Sequence, residues 1–168
     1  MSMPQTLYDF NPVTKIVADA VGEPGHRIFY LQARQGRTTA TVIIEKFQTQ
    51  ALAEGINELL EKLGESETGS TSELNLEEPM EPLFRVGQIG LGHDEASDRI
   101  IIIAYESPDT DDTDPDSLNS VRFWMSRHQA RALSTHALIV CAGGRPTCVL
   151  CGNPIDAEGH FCPKRNGH

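Results

Sequence analysis

Residues 42–63, VIIEKFQTQALAEGINELLEKL, contain the change of hydrophobic period that decides the fold. The segment that ends at Lys46 is rich in β-branched residues, which is typical of a strand. Beyond it, apolar residues recur at the three- and four-residue spacing of one helix face, at Leu52, Ile56, Leu59, Leu60 and Leu63. Gly64 follows where a helix stop is expected. The stretch therefore predicts a strand at 38–46 that leads directly into a helix.

The same order of elements is predicted twice along the chain. Two strands, 13–21 and 27–34, precede the strand and helix just described. After an acidic segment, the pattern predicts three more strands and a second helix from about His128 to Cys141, with the strands at 83–91, 99–106 and 121–127. Each half of the chain therefore contains three strands and one helix.

The two halves also share some residues. The pattern Gln-x-x-Ala-Leu occurs in both, once from Gln48 to Leu52 and again from Gln129 to Leu133. Nearer the start of each half, His26–Arg27–Ile28 lies over Asp98–Arg99–Ile100. We interpret the two halves as one βββα unit used twice; the alternative is that two strand-then-helix segments share letters by chance. Both interpretations predict an α+β fold with a six-stranded antiparallel sheet and two helices on one face.

Charge is concentrated in two segments, 65–81 and 106–117. The chain of 168 residues has 24 acidic and 14 basic side chains, but each of these segments holds six acids and no base. Both are rich in Ser, Thr, Pro and Gly, which favour solvated loops. We therefore divide the chain into an α+β body, 1–144, with halves at about 13–64 and 83–144, and a tail, 145–168.

Several classes of function find no support in the sequence. No segment approaches the ~20 apolar residues of a membrane helix, and the first ten residues lack the pattern of a secretory signal. There is no phosphate-binding loop and no defensible catalytic triad. The glycines Gly87, Gly90 and Gly92 fall in a strand and turn without a following helix, so we interpret them as twist or bulge positions. We therefore expect a cytoplasmic protein whose enzymatic status stays open.

The tail contains the most specific chemical signal. Cys148 and Cys151 form a Cys-x-x-Cys-Gly unit, and Cys162 follows after ten intervening residues, enough for a short hairpin. His160 is the preferred fourth ligand and His168 the alternative. Three thiolates and an imidazole are typical of a closed structural zinc site. We therefore expect one structural Zn²⁺ in a small zinc-ribbon-like hairpin.

Other interpretations of these cysteines are less favoured. A disulfide between Cys148 and Cys151 would need an oxidising compartment, which nothing here indicates. A redox pair normally opens a helix, and Pro154 and Gly152 disfavour one. Catalytic zinc would need a vacant position with a base beside it, and only Asp156 and Glu158 on the short hairpin offer one. Cys141 lies on the second helix stripe and is expected to be a core thiol.

Lys46 and Arg127 are the candidate ligand-binding residues outside the tail. They occupy equivalent ends of the third strands, so a pseudo-twofold axis would allow them to converge on one cleft, joined by Arg34, Arg37 or His128. The simpler interpretation is that basic residues before a helix reach solvent. The acidic segment 106–117 offers hard oxygens for a cation, but a solvated loop is favoured because the glycine and distal glutamate of a calcium loop are missing.

Two classes of function follow from these patterns. The first is a binding or adaptor protein for an unknown protein or small molecule. The second is an enzyme or binder that acts on an anionic small molecule or nucleic acid through a basic cleft near Lys46 and Arg127. No Lys/Arg-rich stripe with interleaved aromatics is present, so nucleic acid is disfavoured as a partner, although Arg145, Lys164 and Arg165 leave it open.

The chain resembles a bacterial, mainly actinobacterial, family known only as domain of unknown function number 3090. The similarity lies in Tyr8–Asp9–Phe10, the helix from Lys46 to Leu60, and the ending CVLCGNPIDAEGHFCPKRNGH from Cys148. Gln129–Ala130–Arg131–Ala132 and Ala142 to Pro146 belong to it as well. The resemblance implies a cytoplasmic bacterial protein and supplies no catalytic residues.

Overall fold

A computed structural model describes residues 6–23, 25–64, 75–78, 81–108 and 118–143. These residues form seven strands and two helices. In chain order the elements are β1 (Thr6–Phe10), β2 (Lys15–Val21), β3 (Ile28–Gln35), β4 (Thr38–Ile44), α1 (Lys46–Lys62), β5 (Pro82–Asp94), β6 (Arg99–Glu106), β7 (Ser120–Met125) and α2 (Arg127–Gly143). The α+β class and the two strand-to-helix segments, β4 to α1 and β7 to α2, agree with the sequence patterns.

The strands form one mixed sheet in the order β1-β7-β6-β5-β4-β3-β2. Neighbours are antiparallel except at two places, where β4 pairs with β5 and β1 pairs with β7 in parallel. The expectation of six antiparallel strands was therefore wrong in number and direction. The reason is that α1 carries the chain across the sheet between β4 and β5, and such a crossover returns the next strand in the same direction.

The sheet curls so that its two ends approach each other. The edge strands β1 and β2 are joined by only four residues, 11–14, which is too short to cross a flat sheet of seven strands. Val13 N donates a hydrogen bond of 2.8 Å to Trp124 O in β7, and Thr14 N donates one of 2.6 Å to Arg34 O in β3. The segment between β1 and β2 thus joins both ends of the sheet.

One hydrophobic core unites all seven strands and both helices. Along β6, alternate residues are buried, as the two-residue period of a strand requires, and β3 follows the same pattern except that Gln32 is buried as well. The predicted stripe of α1 is buried at Leu52, Ile56 and Leu60, and α2 buries Leu133. The helices also contact each other, where Arg131 and Ser134 each donate a 2.7 Å hydrogen bond to Asn57 Oδ1.

Two glycines have the conformational roles that their positions suggested. Gly64 follows α1 with a φ of +86°, a conformation that favours glycine and ends the helix. Gly87 lies at an irregularity in the pairing of β5 with β6, and a Cβ there would approach Ser107 Cα to 2.9 Å. Gly87 is therefore a bulge position at which only glycine fits without a backbone shift.

Part of the first acidic segment is attached to the body. Gln32, a buried residue of β3, accepts a 2.7 Å hydrogen bond from Glu77 N and donates one of 3.0 Å to Glu77 O. The Glu77 carboxylate also pairs with Arg34 at 3.1 Å. Residues 75–78 therefore lie along β3, whereas most of the remainder of both acidic segments lies outside the described residues.

Candidate functional site

A cavity of about 260 Å³ lies where the start of α1 meets the last turn of α2. The residues around it come from the turn before β3, the ends of β3 and β4, β5 and both helices. Its walls are formed by Gly25, Arg27, Ile28, Phe29, Ile43, Ile44, Glu45, Lys46, Arg85, Val140 and Cys141. One of the two candidate ligand-binding residues, Lys46, therefore lines a cavity.

Three cations and one acid line this cavity. Arg85 reaches it because β5 pairs in parallel with β4, which sets Arg85 beside Ile43, and its NH1 donates to Glu45 Oε1 at 2.7 Å. Arg27 NH1 donates to Val140 O, near the end of α2, at 3.4 Å. Lys46 forms no ion pair within the described part of the chain. The lining therefore carries excess positive charge.

Apolar side chains form the rest of the cavity wall, although the surface exposed inside the cavity is more polar than apolar. Ile28, Phe29, Ile43 and Val140 contribute hydrocarbon surface, and Phe29 is itself part of the core. Such a mixture of apolar wall and a few convergent charged groups is typical of small-molecule sites. The site is thus suited to a molecule with both an anionic and an apolar part.

Cys141 forms part of the wall and keeps its proton. It is buried, its Sγ lies 3.9 Å from Lys46 O, and burial raises the pKa of its thiol. A thiol with a raised pKa is a weak nucleophile at neutral pH. The expectation of a core thiol agrees with this placement.

Arg127 lies at a different place from Lys46. Its Nε and NH2 each lie 2.9 Å from Asp98 Oδ1, and its NH1 donates a 3.0 Å hydrogen bond to Leu63 O, just beyond the end of α1. Lys46 begins α1, so the two cations stand roughly 25 Å apart along a helix of this length. The structure does not bring them together in one cleft.

Asp98 accepts a second hydrogen bond, from His93. His93 Nε2 lies 2.8 Å from the same Asp98 oxygen, and the hydrogen bonds from His93 and Arg127 lower the pKa of Asp98. Asp98 also adopts a φ of +53°, an uncommon conformation for a residue other than glycine. The second half of the chain thus carries a cation and a carboxylate that neutralise each other.

The other basic residues considered from the sequence lie elsewhere. Arg34 is occupied by Glu77 and by Gly36 O, to which its NH1 donates at 3.1 Å. Arg37 is exposed in the turn between β3 and β4, and His128 lies in the first turn of α2. None of the three lines the cavity.

A histidine–aspartate pair joins β2 to α2, within electrostatic range of Arg27. His136 Nε2 lies 2.9 Å from Asp19 Oδ2, and Ala20 N donates to Asp19 Oδ1 at 2.7 Å. Partial burial by itself would raise the pKa of Asp19, but these hydrogen bonds outweigh burial and lower it. No sequence pattern pointed to this pair, because its members are 117 residues apart.

The predicted metal ligands Cys148, Cys151, His160 and Cys162 lie outside the described residues. Within the described ranges, no group of three or more His, Cys, Asp or Glu side chains is arranged to hold a metal ion. Among those same residues, no helix combines the length and apolar character needed to span a membrane.

A comparison with protein families matches residues 8–162 to the family described as protein of unknown function DUF3090. The chain belongs to this family. Its members' description gives no activity, and the match covers the body and most of the cysteine-containing tail. No curated protein and no solved structure matches the chain. The cavity is therefore the main guide to function.

Arg27 and Arg85 are the cavity residues that sequence reasoning missed. Arg85 was hidden because parallel pairing between strands separated by a helix leaves no local pattern. The shared letters of the two halves set Arg27 over Arg99. In the structure, Phe29 pairs with Ile44, and Ile100 pairs with Met125. Counted from these pairs, the position of Arg27 matches that of Asp98 and not that of Arg99. Aligning the buried positions of β3 and β6 would have given this correspondence.

Proposed function

We propose that this protein binds a small anionic molecule in the cavity beside Lys46. The observation that carries the proposal is the convergence of Arg27, Lys46 and Arg85 on one cavity, where Glu45 is the single acid among the described lining residues. Cations that share a cavity repel each other, and an anion that enters relieves this repulsion. Of the two anionic ligand classes considered for a basic cleft near Lys46, the proposal selects the small molecule over nucleic acid.

Binding is favoured over catalysis by the chemistry of the walls. The nucleophile nearest to the cations is Cys141, whose raised pKa keeps it protonated. Arg85 is already paired with Glu45, so it fixes the geometry of the site more than it adds free charge. Arg27 and Lys46 remain as the groups that attract the ligand.

The proposal is tested with hexanoate and hexyl phosphate as anionic probes and hexanamide as the neutral probe. We expect either anion to bind more tightly than hexanamide in calorimetric titrations. Lys46→Gln should weaken binding of the anions by up to about fivefold, because Lys46 is exposed and an ion pair at an exposed site is worth roughly 0.2–1 kcal/mol. Arg37→Gln, which removes an exposed cation away from the cavity, is the matched control. Equal affinity of all three probes would contradict the proposal.

A structural zinc site in the tail is a second part of the proposed function. The spacing of Cys148, Cys151 and Cys162, with His160 as the fourth ligand, supports one Zn²⁺ in a zinc-ribbon-like hairpin. Thiolate ligands must stay reduced, which favours a cytoplasmic location. In this role the zinc fastens the tail, 145–168, as in the adaptor protein considered from the sequence.

Internal duplication is the simplest origin of the body. Its support is the repeated order of elements together with the matching register, in which Phe29 pairs with Ile44 as Ile100 pairs with Met125. Furthermore, β5 pairs in parallel with β4 through its first residues and antiparallel with β6 through the rest. In the first half two strands make the corresponding pairings, since β1 is parallel to β7 and β2 is antiparallel to β3. On this proposal, β1 and β2 together correspond to β5.

A further inference from the structure

The two halves of the chain place different charges at the same two register positions. In the second half, Ile100 pairs with Met125, Asp98 lies two residues before Ile100, and Arg127 lies two residues after Met125. Asp98 and Arg127 form an ion pair at 2.9 Å. In the second half, the charge of Arg127 is therefore neutralised by Asp98.

The first half has two cations at the corresponding positions. Phe29 pairs with Ile44, Arg27 lies two residues before Phe29, and Lys46 lies two residues after Ile44. Both line the cavity, so an arginine occupies the position that an aspartate has in the other half. Arg27 Nε is also buried without an acceptor among the described residues. Among the described residues, this half therefore has no carboxylate at the register position of Asp98.

We infer that the ligand of the Lys46 cavity is a monocarboxylate with an apolar body. Its carboxylate binds Arg27 and Lys46, as the carboxylate of Asp98 binds Arg127 in the other half. This inference rests on the anion-binding function proposed above and specifies its ligand. Asp98 indicates the chemical class of the ligand, because in the second half a carboxylate at this register position forms the ion pair with the cation. The apolar walls at Phe29 and Val140 receive the body of the ligand.

The charge balance of the surroundings favours one negative charge over two. Glu45 neutralises Arg85. Asp19 interacts with Arg27 at longer range, since the charge of Arg27 contributes to the lowered pKa of Asp19. Glu54 is a third acid near the cavity, since its charge acts on the thiol of Cys141 in the wall. The net positive charge around the cavity is therefore small. A carboxylate balances it, whereas a phosphate dianion exceeds it.

The first experiment compares hexanoate with hexyl phosphate and hexanamide by calorimetric titration at pH 7.5. We expect hexanoate to bind about tenfold or more tightly than hexanamide and more tightly than hexyl phosphate. Stronger binding of hexyl phosphate would overturn the carboxylate inference and leave the anion-binding function standing. Equal binding of hexanamide, or binding by none of the probes, would overturn both.

The second experiment tests the equivalence of the two halves without a ligand. Arg27→Asp should pair with Lys46, exclude hexanoate and raise the thermal midpoint by about 2 °C relative to Arg27→Gln, the shift expected for a surface ion pair. Adding Lys46→Gln should remove that advantage. If Arg27→Asp and Arg27→Gln unfold at the same temperature, or if the advantage persists without Lys46, the equivalence with Asp98 is wrong.

Discussion

Gln48 and Gln129, each the third residue of its helix, make the same hydrogen bonds at the starts of α1 and α2. Gln48 Oε1 accepts from Glu45 N at 2.7 Å, and Gln129 Oε1 accepts from Ser126 N at 3.0 Å. The amide of Gln48 donates to Val86 O at 3.1 Å, and that of Gln129 donates to Val13 O at 3.1 Å. Each glutamine therefore caps its helix and fastens it to a neighbouring segment of the chain.

Replacing either glutamine by alanine should destabilise the protein by a similar amount. Each variant leaves a backbone N–H and a backbone carbonyl without their partner, a loss of about 1–2 kcal/mol. Urea unfolding of Gln48→Ala and Gln129→Ala measures it. Gln50→Ala is the control, because Gln50 is exposed and its amide donates to Glu54 on the same helix face, at 3.3 Å. A loss confined to one of the two glutamines would show that the matching bonds are unequal in energy.

Cavity-forming substitutions should affect both helices alike. Leu52 and Leu133 are 6% and 1% exposed, so Leu52→Ala and Leu133→Ala should each cost about 2–4 kcal/mol. Phe47→Ala provides the comparison, since Phe47 is 71% exposed and its truncation should change the unfolding free energy little. Near-native stability of both leucine variants would mean that the stripes do not form the core.

The helices could be predicted from the sequence because their information is local. Leu52, Ile56 and Leu60 repeat at helix spacing, and the same residues are buried. The parallel partners of β4 and β7 could not be predicted, since pairing across a helix or between β1 and β7 depends on the path of the whole chain. Strand β1, Thr6–Phe10, was missed for this reason.

The candidate site was predictable to the same limited degree. Lys46 was found because it stands at a recognisable boundary between a strand and a helix. Arg85 joins it only through parallel pairing, and Arg27 only through the register of β3 with β4. Arg127 was equally recognisable in the sequence, but it forms an ion pair with Asp98. That ion pair depends on the geometry of the turn at Asp98, which residue spacing does not reveal.

The pair of Asp19 and His136 should make stability depend on pH in the acid range. The pKa of Asp19 is lowered from its usual 3.8, because hydrogen bonds from His136 and Ala20 N outweigh its partial burial. A depressed pKa stabilises the folded state above the unfolded value, and that stabilisation is lost as pH falls through the folded pKa. The stability difference between wild type and Asp19→Asn should therefore be at its full value near pH 5 and shrink below about pH 4.

Urea unfolding between pH 2.5 and 6 measures this difference. Glu58→Gln is the control, because Glu58 is exposed on α1 and forms no ion pair within the described residues. His136→Ala should reduce the pH dependence, since it removes the main hydrogen bond that lowers the pKa of Asp19. An Asp19→Asn difference that stays constant down to pH 2.5 would argue against the stabilising pair.

The tail should contain one zinc ion per chain under reducing conditions. We expect sulfur ligands at ~2.3 Å and a nitrogen ligand at ~2.1 Å by X-ray absorption spectroscopy. The tail is too short to fold around its own core, so metal binding must supply much of its ordering free energy. Chelation or Cys151→Ser should therefore loosen residues 145–168 and leave the circular dichroism of the body unchanged.

The fourth ligand is identified by comparing two histidine variants. His160→Ala should lower zinc retention in a competition with a chromogenic chelator, because only three thiolates then remain. His168→Ala should retain zinc like the wild type, since His168 is the alternative ligand that the spacing disfavours. The reverse order of the two variants would move the fourth ligand to His168. Purified protein without zinc, in which Cys148 and Cys151 react as free thiols, would show that the tail is not a zinc site.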